Sequence, residues 1–425
     1  MEAYDALMGG GLYDELTKRK LLVRHEELES QTAGAYKILK PEVVPVITYP
    51  FEWAFSQLKD AALATLEIQK LALDRNMTLR DASAYNIQFI SGRPCLIDTL
   101  SFGRYKEGDP WDAYRQFCQH FLAPLALMSY CDPDLLQLMR VYIDGIPLSL
   151  ASKLLPFKAN TKLGLLVHLK MHAGLSRKHA ADTTSTRRSV SKVSLLGLLE
   201  NLEGTIRRLK IDRLDTEWGD YYEHTNYSTA SRDEKAAIIH RFAERVKPKR
   251  VLDLGSNNGY FSRVAAETAD CTISSDIDPM AVEGNYLRMK SQGETDILPM
   301  LVDLTNPSPA LGWSNQERSS FSARVHADLA MALALIHHLA ISNNLPFEMI
   351  SKYFAELASY LIIEFVPKSD SQVKRLLVTR EDIFPNYTPE GFEAAFSKHF
   401  TILETIPLEG SERILYLMRS KVTTE

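Results

Sequence analysis

Cysteine is scarce. Four residues in 425 (Cys95, Cys118, Cys131 and Cys271) are scattered along the chain without a CxxC pair. That spacing excludes a zinc ribbon and a disulfide framework, and it fits a reducing cytosol. Long apolar runs are missing as well. The longest, around residues 121–128 and 329–336, are far too short to span a bilayer, so no membrane partner is expected. The first ten residues carry Glu2 and Asp5 where a secretory leader would be basic, and no apolar core follows, so a cytoplasmic protein is expected. Excess positive charge is absent too. Forty-nine Lys and Arg against 54 Asp and Glu leave a net charge of −5, which removes the usual electrostatic argument for binding nucleic acid. No internal repeat of fixed period occurs.

A chain of this length and a globular composition, 45% hydrophobic and 24% charged, predicts two or three folded domains. Residues 51–73 place apolar side chains at helical spacing with no Gly or Pro and predict a long amphipathic helix. Residues 111–128 and 135–143 predict two more helices, and residues 85–100 a hairpin turning at Ser91 and Gly92. Residues 176–194 are rich in Ser, Thr and basic side chains, the composition of a solvated linker, and 195–209 predict a bridging helix. Short apolar segments at 250–254, 271–275, 297–302, 329–335 and 361–365 then alternate with helical or loop stretches. That alternation predicts an α/β domain with a parallel, doubly wound sheet. Segments 400–407 and 413–419, parted by a loop holding Gly410, predict an antiparallel hairpin at a sheet edge. The expected organisation is a mostly helical domain over 1–175, a basic linker with a bridging helix over 176–212, and the α/β domain over 213–425.

The sharpest motif is VLDLGSNNGYF at residues 251–261. A strand ends at Asp253, and a tight loop with Gly255 and Gly259 leads into a helix. Such a loop needs residues that tolerate positive φ, and Asn257 is a good choice after glycine. The G-x-G-x-x-G dinucleotide fingerprint fails, because Asn257 and Tyr260 stand at its second and third glycine positions. A carboxylate at Asp253 would repel phosphate and suits a cationic or hydroxyl-bearing ligand. Asp276 and Asp303 end the next two apolar segments. One strand-end acid is usually a helix cap, but three in register face the sheet edge where ligands bind in doubly wound folds.

Residues 218–419 resemble the class I S-adenosylmethionine-dependent methyltransferases. Their acid-x-Gly-x-Gly-x-Gly loop is matched at Asp253, Gly255 and Gly259, with Asn257 in place of the middle glycine. The resemblance implies a Rossmann-like methyltransferase sheet and S-adenosylmethionine as cofactor. Asp253 and the loop residues Gly255, Ser256, Asn257 and Gly259 would hold its amino-acid end through the loop amides. Asp276 would take both ribose hydroxyls, Ile277 the adenine face and Asp303 the adenine amine. His337 and His338, following HADLAMALALI, would sit at the mouth of the acceptor pocket. A histidine there suits a base where the acceptor must lose a proton, with helix capping as the alternative. No third ligand is placed beside the pair, so no metal is expected. Glu364, ending LIIEF, and Tyr222 and Tyr227, in WGDYYEHTNY, would line the acceptor side. The expected reaction is methyl transfer to an oxygen or nitrogen of a small molecule. RNA, served by basic stretches at 177–192 and 207–213, is the alternative acceptor, and a cofactor-sensing scaffold without catalysis is the alternative class.

In the first domain, Asp81, Asn86 five residues later, and Asp98 ending an apolar strand resemble the catalytic segment of protein-kinase-like and aminoglycoside-phosphotransferase-like folds. There the first acid handles the acceptor hydroxyl, while the Asn and second Asp hold magnesium. Leu79 replaces the usual His, Thr99 and Leu100 replace Phe-Gly, and about 45 residues precede the hinge at 44–53, too few for a nucleotide-covering lobe. A degenerate, non-phosphorylating domain is expected, with a bifunctional kinase–methyltransferase as the alternative.

Overall fold

The structure, a computed structural model, describes residues 1–29, 34–171, 189–211, 229–378 and 380–422. Tyr222 and Tyr227, and most of the expected linker, lie outside the described residues. The chain forms two compact units, Met1–Arg213 and Leu214–Glu425. No helix among the described residues is long and apolar enough to cross a membrane.

The first unit is built on the helix Phe55–Asp74, which buries Leu58, Ala62, Leu66, Ala72 and Leu73 along one face. It starts at Phe55, later than the apolar pattern suggests, because Pro50–Glu52 forms a 3-10 turn. The Gln57 side chain reaches back to accept the Ala54 N–H at 2.7 Å, as in half of a capping box. Short antiparallel pairs surround the helix: β1 (His25–Leu28) with β2 (Ile38–Pro41), β3 (Met77–Leu79) with β6 (Phe102–Arg104), and β4 (Ile87–Ile90) with β5 (Arg93–Leu96). The β4–β5 hairpin turns at Ser91 and Gly92, both at positive φ, as a two-residue primed turn requires.

Two helical expectations are corrected. The helix expected over 111–128 begins at Tyr114 and carries a π turn at Cys118–Leu122. Residues 135–143 form a 3-10 turn, Pro133–Gln137, and one α turn, Leu138–Val141, because Pro133 and Asp132 set a tight cap. The expected bridge is the helix Lys192–Arg208, capped by Ser191. It does not bridge. It belongs to the first unit, burying Leu195, Leu199, Leu202 and Ile206, with Lys70 of the long helix paired to its Glu203.

The second unit is a doubly wound, Rossmann-like sheet of seven strands, β7 (Arg250–Leu254), β8 (Cys271–Asp276), β9 (Ile297–Leu301), β10 (Ala327–Ala332), β11 (Ala358–Phe365), β12 (Phe400–Pro407) and β13 (Ile414–Ser420). Their order is β12-β13-β11-β10-β7-β8-β9. Strands β7 to β11 run parallel to one another, and β13 is antiparallel to both β11 and β12. Helices cover both faces, so the central strands read as continuous apolar runs. On one face Ile239 and Phe242 of the helix Thr229–Val246 join Val251, Leu329, Met331, Ile362 and Leu417. On the other, Phe365 meets Phe347, Tyr387 and Phe392. The strand order reverses between β7 and β10, which opens a crevice at their carboxyl ends.

Candidate functional site

That crevice is a cavity of about 360 Å³. The loop after β7 forms one side. Gly255, Asn257 and Gly259 adopt φ of 71°, 50° and 73°, so asparagine fills the left-handed position that a glycine would otherwise take. A Cβ on Gly259 would come within 2.6 Å of the Asn285 amide and 2.7 Å of Arg263 Nη1, so these two side chains, as well as φ, favour glycine there. Arg263 explains the closeness: it donates to the Gly259 carbonyl and Asn285 Oδ1, both at 2.9 Å, and pairs with Glu294.

The loop is bound to the sheet from beneath. The N–H groups of Gly255 and Ser256 both donate to the Ser275 carbonyl at 2.9 Å, and that of Asn257 donates to Asp276 Oδ2 at 2.7 Å. Asn258 N–H goes to Asn257 Oδ1, Gly259 N–H to the Ser256 carbonyl, and Tyr260 N–H to Asn258 Oδ1. Each of the loop amides expected to hold the amino-acid end of a ligand thus has an acceptor within the protein. A hydroxyl cluster lies below: Ser262 Oγ donates to Asp253 Oδ2 at 2.6 Å, and Ser274 Oγ contacts Ser262, Ser256 and Asn285.

Asp253 and Asp276 both line the cavity and are both buried. Burial pushes the Asp253 carboxyl up to about 7, against the opposing bond from Ser262. Burial likewise pushes Asp276 up to about 6, opposed by N–H bonds from Asp278 and Asn257. Ile277 lines the cavity with its side chain 54% exposed, an apolar surface open to a flat ring. Asp303 is brought to none of these. It lies just past β9, is absent from the cavity wall, and Oδ1 accepts from both the N–H and the hydroxyl of Thr305. The carboxylate expected to meet adenine thus serves a local turn in this structure.

Beyond β10 the chain turns at Ala334, held at φ 50°, and its N–H donates to Glu364 Oε2 at 2.7 Å. The two histidines then part. His338 lines the cavity beside Ser342 and Asn343, and burial pushes it down to about 4, so it is neutral at physiological pH. His337 is not at the mouth. It is fully buried, its ring 4.0 Å from that of His338, and neither ring nitrogen has a partner among the described residues. Burial keeps it well below the usual histidine range. Glu364 is likewise no wall residue. It is fully buried and its oxygens face the Lys235 ammonium at 2.6 Å and the Arg413 guanidinium at 3.4 Å, while Arg413 also meets Asp370 at 2.8 Å.

Arg232 and Lys235, three residues apart on the helix Thr229–Val246, also line the cavity and have no motif of their own in the sequence. The signal for the hydroxyl cluster was present, since SSD ends an otherwise apolar β8.

In the first unit Asn86 and Asp98 meet at Ser101, whose hydroxyl donates to Asp98 Oδ2 at 2.6 Å and accepts from Asn86 Nδ2 at 3.4 Å. Asp81 Oδ1 instead accepts from Ser83 N–H and Gln116 Nε2, both at 2.9 Å. Among the described residues no group of three or more His, Cys, Asp or Glu side chains is arranged to hold a metal ion.

No family model matches the chain. It is 37% identical over 387 residues to nodulation protein NoeA of Rhizobium meliloti (strain 1021), a match spanning 89% of this chain and 81% of NoeA. Among solved structures it is similar to the N-methyltransferase NodS from Bradyrhizobium japonicum WM9 in complex with S-adenosyl-L-homocysteine, at 12% identity and a TM-score of 0.36, over 49% of this chain and 94% of NodS. It is also similar to the bifunctional kinase-methyltransferase WbdD, at 13% identity and a TM-score of 0.34, over 48% of this chain and 43% of WbdD. Neither structural likeness bears on the chemistry.

Proposed function

The chain belongs to the same family as nodulation protein NoeA, and from that premise and the cavity at the sheet's carboxyl edge we propose that it is a methyltransferase using S-adenosylmethionine. The acceptor is an oxygen or nitrogen atom of a small molecule, and on the kinship with NoeA a part in nodulation belongs to the same proposal. The observation that carries the reading is the joint presence, on one cavity wall, of the left-handed loop, the buried acid Asp276 and the exposed apolar Ile277. These residues fit an adenosine: a carboxylate for paired hydroxyls and an apolar shelf for a ring. Asp253, deeper in the same cavity, fits a cationic group better than a phosphate.

When bound, the cofactor supplies a methyl group already activated on a sulfonium. The chain's own task is then to position the acceptor and to exclude water, which accounts for much of the acceleration in a displacement of this kind. His338, on the cavity wall, is neutral at any pH above about 4, and as a weak base it accepts a proton once the acceptor atom becomes acidic during bond formation. His337, out of reach of the cavity, positions the His338 ring by packing against it.

The first unit is proposed not to transfer phosphate. Asp81, Asn86 and Asp98 are all engaged by neighbouring side chains or amides, which supports that reading.

Calorimetric titration of the full chain tests the assignment. S-adenosylmethionine and S-adenosylhomocysteine should bind, and Asp276→Ala should weaken both by roughly ten- to a hundredfold, the loss of charge-assisted bonds. Equal affinity in the variant, or tighter binding of a nicotinamide dinucleotide, would overturn it.

A further inference from the structure

A bound amino-acid zwitterion carries a carboxylate that needs a charged or N–H donor, and the loop's backbone has none unengaged. All six N–H groups from Gly255 to Tyr260 end on acceptors within the protein. Of the cavity's remaining charged wall residues, Asp253 and Asp276 would repel a carboxylate, leaving Arg232 and Lys235. Lys235 is committed elsewhere: it is buried with Nζ 2.6 Å from Glu364 and 4.6 Å from the Phe261 ring centroid.

Arg232 is only half-buried and has no close ion pair among the described residues. It lies one helical turn before Lys235, with its guanidinium 5.0 Å from the Tyr260 ring centroid. Tyr260 opens the helix that follows the glycine loop, so this stacking sets the guanidinium beside the loop. Its Nε is buried without a hydrogen-bond partner among the described residues, and its charge contact with exposed Asp233 is long, at 3.9 Å. Resting on the cofactor reading above, we infer that Arg232 receives the carboxylate at the amino-acid end of S-adenosylmethionine. A guanidinium suits the task because it stays charged and presents a planar fork that matches a carboxylate's two oxygens. The tyrosine face holds that fork while leaving its edge open to a ligand. The consequence is selectivity for ligands that keep the amino-acid end intact.

The test is calorimetry on the full chain with two ligands. S-adenosylhomocysteine has the carboxylate, whereas 5′-methylthioadenosine shares the adenosine and thioether but lacks the amino-acid end. Arg232→Gln should weaken S-adenosylhomocysteine about ten- to a hundredfold and leave 5′-methylthioadenosine unchanged, with Arg232→Lys in between. Unchanged S-adenosylhomocysteine affinity in the Gln variant overturns the inference. So does an equal loss for both ligands, which would assign Arg232 to shaping the cavity. A wild-type chain that binds neither ligand would overturn the cofactor reading itself, and this inference with it.

Discussion

Two carboxylates taken out of water side by side give the cavity a pH dependence of predictable sign. Asp276 titrates near 6 and Asp253 near 7, both raised mainly by burial. A carboxylate that accepts hydroxyl donors must be ionised, so affinity is full above these values and falls as pH drops through them. Between pH 7 and pH 5 the Asp276 contribution alone should weaken S-adenosylhomocysteine binding about tenfold, with a proton released on binding at the lower pH. Titrations in buffers of different ionisation enthalpy check this. Asp276→Asn should lose the lower step and keep the upper one that Asp253 provides. His338 contributes nothing in this window, because it is already neutral above about 4.

The elements meeting at the end of β10 are held by buried charge. Glu364 on β11 accepts from Lys235 of the helix Thr229–Val246, from Arg413 just before β13, and from the Ala334 N–H in the turn after β10. Removing Glu364 takes the carboxylate from the buried Lys235 ammonium, leaves Arg413 with Asp370, and frees a turn residue at positive φ. Glu364→Leu should therefore destabilise the second unit by about 3–5 kcal/mol, well above an ordinary core substitution, as read by urea unfolding. The same turn accounts for the parting of the histidines. With the strand ending at Ala332 and Ala334 in the left-handed region, the alternation of a strand no longer governs which way His337 and His338 point.

Each unit has a core of its own, and the cavity lies wholly within the second. Scanning calorimetry of the full chain should resolve two transitions. S-adenosylhomocysteine at a hundred times its Kd adds about 2.7 kcal/mol to the unit that binds it, raising that transition by roughly 5–10 °C while the other stays put. A single transition that moves as one would contradict independent units. Magnesium-ATP should move neither.

Local chemistry was legible along the chain. The strand, left-handed loop and helix around Asp253 follow from a short apolar run and residues that tolerate positive φ, and the Ser91–Gly92 hairpin from two residues of the same kind. Strand–helix alternation carried the sheet and its antiparallel edge, because the periodicities of strand and helix are written locally. Which groups face the cavity was not written locally. Asp303 resembles Asp276 in position, yet a threonine two residues on claims its oxygen. The loop amides look available until β8 lies alongside with the Ser275 carbonyl. Glu364 looks like a pocket acid until Lys235, 129 residues earlier, and Arg413, 49 residues later, close on it. Arg232 carries no motif at all and matters through its place over Tyr260. Backbone conformation answers to neighbours in sequence, whereas the direction and partnership of a polar side chain answer to burial, and burial arises only when distant segments pack.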